Sequence, residues 1–71
     1  MNRAGYAGRD VSAVSGPYVV EYFDANLDAW RYIGCMTRRA MIEAQDRVFD
    51  RLTEAGDPAP IVSAGRREVY S

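Results

Sequence analysis

The chain has 71 residues, of which 48% are hydrophobic, and it contains one cysteine, no histidine and a formal net charge of −1 at pH 7. This length allows one domain at most, and the cysteine count excludes a disulfide scaffold or a CxxC-type zinc site within one chain. The small net charge argues against electrostatic binding of nucleic acid. Because so short a chain rarely stabilises itself alone, we expect it to oligomerise or to bind a protein partner.

Residues 1–16 form a predicted N-terminal arm that is rich in Gly, Ala and Ser. This composition is compatible with a disordered tail and equally with an extended arm that becomes ordered on a neighbouring molecule. The arm lacks the basic start and apolar middle of a secretory signal peptide. We therefore expect a cytoplasmic location, or a place in an assembled particle.

A single amphipathic α-helix is predicted over residues 17–55, which places the chain in the all-α class. At 100° per residue, the following residues fall on one side of this helix: Val19, Tyr22, Phe23, Asn26, Leu27, Trp30, Ile33, Gly34, Thr37, Ala40, Met41, Ala44, Val48, Leu52 and Ala55. A half-buried strand is rejected here, because Asp24, Asn26 and Asp28 would interrupt its alternation.

The ends of the predicted helix carry the usual signals. Pro17 fits the first turn, and Gly56 can adopt a left-handed conformation just after Ala55. Such a helix would be roughly 58 Å long, whereas a compact chain of this size has a radius of gyration of about 11 Å.

The alternative is a bend at Gly34 and Cys35 that yields two helices packed as a hairpin. No Pro, Asn or Asp nearby supplies a turn, which favours the unbroken helix.

The apolar side of the helix predicts a surface for a partner. Coiled-coil spacing connects Val19, Phe23, Asn26, Trp30, Ile33, Thr37, Ala40 and Ala44. A second apolar shoulder beside this seam consists of Val20, Leu27, Ile42 and Phe49. So wide a surface is typical of a bundle of several helices or of docking into a groove on a larger protein. The predicted partner-binding residues are Phe23, Trp30, Ile33, Met41, Val48 and Leu52.

Residues 56–71 form a predicted C-terminal arm that begins with helix-breaking residues, Gly56 and Pro58. Two interpretations stay open, a disordered tail and an extended arm. In the second interpretation, the arm adds a short strand to the edge of a partner's sheet, formed by Ile61 and Val62 or by Val69 and Tyr70.

No catalytic, cofactor-binding or metal-ligating residue is predicted. Asp24 with Asp28, and Asp46 with Asp50, are carboxylate pairs one helical turn apart, and we interpret them as a solvated face because the helix offers no further ligands. No segment approaches the roughly 20 apolar residues of a membrane-spanning helix. We expect a protein that is not an enzyme and that binds neither cofactor nor nucleic acid.

One family resemblance adds an alternative function. The stretch from Tyr22 to Leu52 resembles the long amphipathic helices of phasin-type proteins, which coat polyhydroxyalkanoate granules. The resemblance is carried by the run from Asn26 through Trp30 and by Met41, Ile42, Glu43, Ala44, Gln45, Val48, Arg51 and Leu52. It implies a self-associating coat on a hydrophobic granule surface. The first prediction remains a non-catalytic structural or accessory subunit of a particle shell, a phage-like structure or a multisubunit complex.

Overall fold

The computed structural model describes residues 14–67 and shows a small α+β fold. Its elements in chain order are β1 (Tyr18–Asp24), β2 (Ala29–Cys35), α1 (Arg38–Glu54) and β3 (Val62–Arg66). The three strands form one antiparallel sheet in the order β2-β1-β3, and α1 packs on one face of it. Residues 1–13 of the predicted N-terminal arm, and the predicted C-terminal pair Val69 and Tyr70, lie outside the described residues.

A tight turn joins β1 to β2 and explains why these residues form a hairpin. The Asp24 carboxylate accepts hydrogen bonds from the backbone N–H groups of Asn26 (3.0 Å) and Leu27 (3.2 Å). Asp28 adopts a left-handed conformation with φ of 52°, which Asp tolerates better than most residues. Asp and Asn promote turns because their side chains bond nearby backbone groups. The strands on either side are rich in β-branched and aromatic residues, which favour a sheet.

The predicted continuous helix over residues 17–55 is therefore wrong, and with it the all-α class. The polar residues that argued against a strand, Asp24, Asn26 and Asp28, form the turn between two strands. The coiled-coil seam is also wrong, because its members from Val19 to Ile33 lie in the hairpin. The chain does change direction just after Gly34 and Cys35, but it passes from a strand into a helix there. The radius of gyration is 11.9 Å, as expected for a folded-back chain rather than a rod.

The helix α1 occupies only the last part of the predicted span. Its N-cap is Thr37, whose hydroxyl accepts a hydrogen bond from the N–H of Ala40 at 3.1 Å. Its end agrees with the sequence prediction, because Ala55 is the C-cap and Gly56 has a φ of 96°. The N–H of Asp57 donates to the carbonyl of Leu52 at 3.0 Å and closes the last turn.

The core lies between α1 and the sheet. The buried residues of α1 are Met41, Ala44, Val48 and Leu52. One cluster joins Val20, Cys35, Met41 and Ala44, with Ala64 packed against it. A second joins Tyr22, Val48 and Leu52, with Val62 packed against it. Ala64 packs against the first cluster alone, whereas Val62 packs against both clusters and lines a groove with Phe49 and Asp50, so α1 and β3 run antiparallel.

The opposite face of the sheet is also buried near its centre. Val19 is fully buried and Glu21 is only 3% exposed, although both point away from α1. On the same face, the rings of Phe23 and Trp30 pack edge to face with centroids 5.5 Å apart. The central strand β1 is thus covered on both sides.

Candidate interaction surface

The strand β3 lies at one edge of the sheet, with β1 on one side and no strand of residues 14–67 on the other. The N–H of Phe23 donates to the carbonyl of Ile61, and the N–H of Arg67 donates to the carbonyl of Pro17. Hydrogen-bonded pairs alternate along an antiparallel ladder. It follows that the backbone groups of Ser63 and Gly65 point toward β1.

The alternate residues of β3 turn their backbone groups away from the sheet. They are Val62, Ala64 and Arg66, and we call this row the β3 edge. A row of outward N–H and C=O groups is a ready template for pairing with another strand. The side chains of the same residues project onto the face that α1 covers, because they are paired with Tyr22, Val20 and Tyr18 of β1.

An apolar stripe on α1 lies beside this edge. Ile42 is 40% exposed and Phe49 is 48% exposed, two helical turns apart. Phe49 lines an open groove between α1 and β3 together with Gln45, Asp46, Asp50 and Val62. The groove has a volume of about 550 Å³, ample for one long side chain. The two carboxylates make it acidic, whereas Arg66 provides a positive charge on the same side of the sheet.

The six predicted partner-binding residues do not form one exposed surface. Met41, Val48 and Leu52 are buried in the core, and Ile33 is half-buried against both core clusters. These four side chains contact the chain's own sheet and helix. Phe23 and Trp30 lie on the opposite face of the sheet and are half-buried. Binding of a partner by Phe23 and Trp30 stays a prediction.

The sequence predicts Ile42 and Phe49 only as part of the second apolar shoulder. Its other two members have different positions, since Val20 is fully buried in the core and Leu27 is 57% exposed in the hairpin turn. The signal for Ile42 and Phe49 was present in the helical wheel. Their importance depends on the neighbouring strand edge, and the pairing of β3 with β1 has no local signature in the sequence.

Two acidic residues at the other end of the domain accept hydrogen bonds from backbone N–H groups. Asp24 accepts N–H groups in the hairpin turn, and the Asp57 carboxylate accepts the N–H of Ala59 at 3.0 Å. Among residues 14–67, no group of three His, Cys, Asp or Glu side chains is arranged to hold a metal ion. Over the same residues, no helix has the length and apolar character needed to cross a membrane.

The thiol of Cys35 lies at the end of β2 inside the first core cluster. Burial raises its pKa above the ordinary value, and the positive charge of Arg47 opposes part of this effect. A thiol that stays protonated is a poor nucleophile. Cys35 therefore behaves as a small core residue, although it lies in a strand and not in the predicted helix.

Comparison of the chain with protein-family models, with curated proteins and with solved structures found no match. The resemblance to phasins is therefore wrong on two grounds, since no family model supports it and the helix that carried it is a hairpin followed by a shorter helix. Within residues 14–67, the candidate surface is a strand edge with no neighbouring strand, flanked by an exposed aromatic side chain and an acidic groove.

Proposed function

We propose that this protein is a non-catalytic structural or accessory subunit of a larger protein assembly, in the cytoplasm or within an assembled particle. The binding surface in this proposal is the β3 edge together with Ile42 and Phe49 of α1. It replaces the long helix that the sequence predicted, because that helix does not form.

The observation that supports the proposal most is the adjacency of Phe49 and the β3 edge. Phe49 is 48% exposed and lines the same groove as Val62. A strand that adds to a sheet edge gains backbone hydrogen bonds, and its alternate side chains find specific pockets beside the edge. An added strand next to β3 would place its side chains against Phe49. Backbone pairing and apolar burial would then stabilise the same complex.

Photo-crosslinking of the full-length chain in its native cells tests this proposal. A photoreactive phenylalanine analogue replaces Phe49 in one variant and Leu27 in the control, because Leu27 is also an exposed hydrophobic residue but lies in the hairpin turn. Crosslinked proteins are identified by mass spectrometry, and the complex is then reconstituted from purified components. A defined crosslink from position 49 that is absent from position 27 is expected.

The matched pair Ala64→Pro and Ala64→Ser sharpens the crosslinking test. Proline removes the outward N–H of residue 64 without removing a bond to β1, whereas serine keeps that N–H. Ala64→Pro should abolish the crosslink from position 49, and Ala64→Ser should retain it. Equal crosslinking from positions 49 and 27, unaffected by proline, would contradict the proposed surface.

A further inference from the structure

We propose that the β3 edge binds a second copy of this chain, so that two three-stranded sheets join antiparallel through β3 into one continuous six-stranded sheet. This inference rests on the proposed function and names the partner at the same surface. The centre of the pairing is Ala64, which would lie opposite the same residue of the partner on the two-fold axis.

The backbone of β3 is suited to this register. With Ala64 at the centre, Val62 lies opposite the partner subunit's Arg66, and Arg66 opposite the partner subunit's Val62. All three residues have outward N–H and C=O groups, so that the three pairs form roughly six N–H···O bonds. Centring the pairing on Ser63 instead would place Arg66 opposite Pro60, outside the strand. The Ala64 register thus uses the whole edge.

Charge complementarity favours the same register. The partner subunit's Arg66 would lie next to Val62 on the face covered by α1, and Val62 lines the groove that contains Asp46 and Asp50. Two copies would therefore place one guanidinium at each acidic groove. In the single chain the Arg66 guanidinium lies over the ring of Tyr18, with Cζ 5.7 Å from the ring centroid, so it is on the face covered by α1 and would turn outward from Tyr18 to reach the partner's groove. The chain supplies both the positive and the negative half of the contact.

The apolar stripe on α1 fits the same two-fold axis. Phe49 lies near Val62, at the start of β3. Ile42 precedes Phe49 by two helical turns and, because α1 and β3 run antiparallel, lies nearer to Arg66 at the end of β3. The separation along the helix from Ile42 to Phe49 is about 10.5 Å, and that along the strand from Val62 to Arg66 is about 13 Å. A two-fold rotation at Ala64 therefore brings Phe49 toward the partner subunit's Ile42, and both exposed side chains become covered.

Sedimentation equilibrium of the purified full-length chain over a wide concentration range tests the inference. We expect a concentration-dependent dimer for the wild type and for Ala64→Ser. Ala64→Pro should be monomeric, because it removes an outward N–H of the β3 edge. Phe49→Asp should raise the dissociation constant of the dimer about tenfold or more, because it removes the apolar side of the contact. Leu27→Asp is the control for loss of an exposed apolar side chain and should dimerise like the wild type. Circular dichroism establishes that each variant is folded, and Phe49→Asp keeps the test valid if Ala64→Pro does not fold.

Charge reversal tests the register itself. Arg66→Glu should raise the dissociation constant of the dimer about tenfold. The double variant Arg66→Glu with Asp50→Arg should restore most of the wild-type affinity. A wild-type chain that stays monomeric at all concentrations overturns the inference. If Phe49 then still crosslinks to another protein in a manner that Ala64→Pro abolishes, the proposed function stands without the homodimer. If neither association is found, both proposals fail.

Discussion

The backbone at Ser15 crosses β2 so closely at Gly34 that a Cβ atom added to Gly34 would overlap the carbonyl oxygen of Ser15. The side chain of Val14 lies against the same point, with its Cγ1 2.6 Å from the position of that added Cβ. The segment before β1 thus passes over the end of β2 on the face opposite to α1. Only glycine provides the space for this crossing.

Gly34→Ala should lower the free energy of unfolding by about 2 kcal/mol, because the overlap with backbone atoms forces a shift of the chain. Urea denaturation measures the change. Gly56→Ala is the comparison, since nothing lies within 4 Å of its added Cβ and its cost comes only from the φ of 96°. That cost should be about 1 kcal/mol. A neutral Gly34→Ala substitution would show that Ser15 does not cross β2 at this point.

The N-cap of α1 provides a second prediction. The Thr37 hydroxyl accepts the Ala40 N–H at 3.1 Å, and its removal leaves an N–H of the first turn without this acceptor. Thr37→Ala should therefore cost about 1 kcal/mol of stability. Thr53→Ala, an exposed threonine inside the same helix, should change stability by less than about 0.5 kcal/mol. Equal effects of the two substitutions in thermal or urea denaturation would place the start of α1 elsewhere.

Core packing predicts a large difference between two leucines. Leu52 is 6% exposed in the second core cluster, whereas Leu27 is 57% exposed in the hairpin turn. Leu52→Ala should destabilise the fold by about 2 to 4 kcal/mol through lost contacts and a cavity. Leu27→Ala should cost less than about 0.5 kcal/mol. If instead the two substitutions had similar small effects, α1 would not pack on the sheet through Leu52.

Cys35 should react slowly in the folded protein. It is 7% exposed and its pKa is raised by burial, so that less thiolate is present at pH 8 and the reagent has poor access. Its reaction with a disulfide reagent at pH 8 should be about tenfold slower or more than in denaturant. Absorbance of the released thiol anion measures the rate. A native rate equal to the denatured rate would place Cys35 on the surface.

The second half of the fold was more predictable than the first. The helical wheel grouped Met41, Ala44, Val48 and Leu52 correctly, and Gly56 marked the end of the helix. An amphipathic helix covered on one side keeps a clear period of 3.6 residues. These signals are local and do not depend on how the rest of the chain folds.

The hairpin was missed because β1 is buried on both faces. Its consecutive residues Val19, Val20, Glu21 and Tyr22 are all buried, so the strand shows no alternation of apolar and polar residues. A central strand of this kind reads as a continuous apolar run, which periodicity cannot distinguish from a buried helix. The better signal was the cluster of Asp24, Asn26 and Asp28, which is typical of a turn between two strands.

The candidate surface could be predicted only in part, because it depends on contacts between residues that are far apart in the sequence. The wheel placed Phe49 and Ile42 on an apolar shoulder, but the groove beside Phe49 arises from the position of Val62, which depends on long-range pairing of β3 with β1. The sequence contained Ile61 and Val62 as candidates for a strand, without indicating that Val62 would join the chain's own sheet.

Hydrogen exchange of the β3 amides, followed by NMR at increasing protein concentration, shows whether the β3 edge pairs with a second copy of the chain. The amides of Ser63 and Gly65 point toward β1 and should be protected at every concentration. Those of Val62, Ala64 and Arg66 point outward, and they should exchange rapidly at high dilution and become protected as the chain associates. Outward amides that stay unprotected in the associated protein would contradict pairing through the β3 edge, and inward amides that exchange as rapidly as the outward ones would contradict the pairing of β3 with β1.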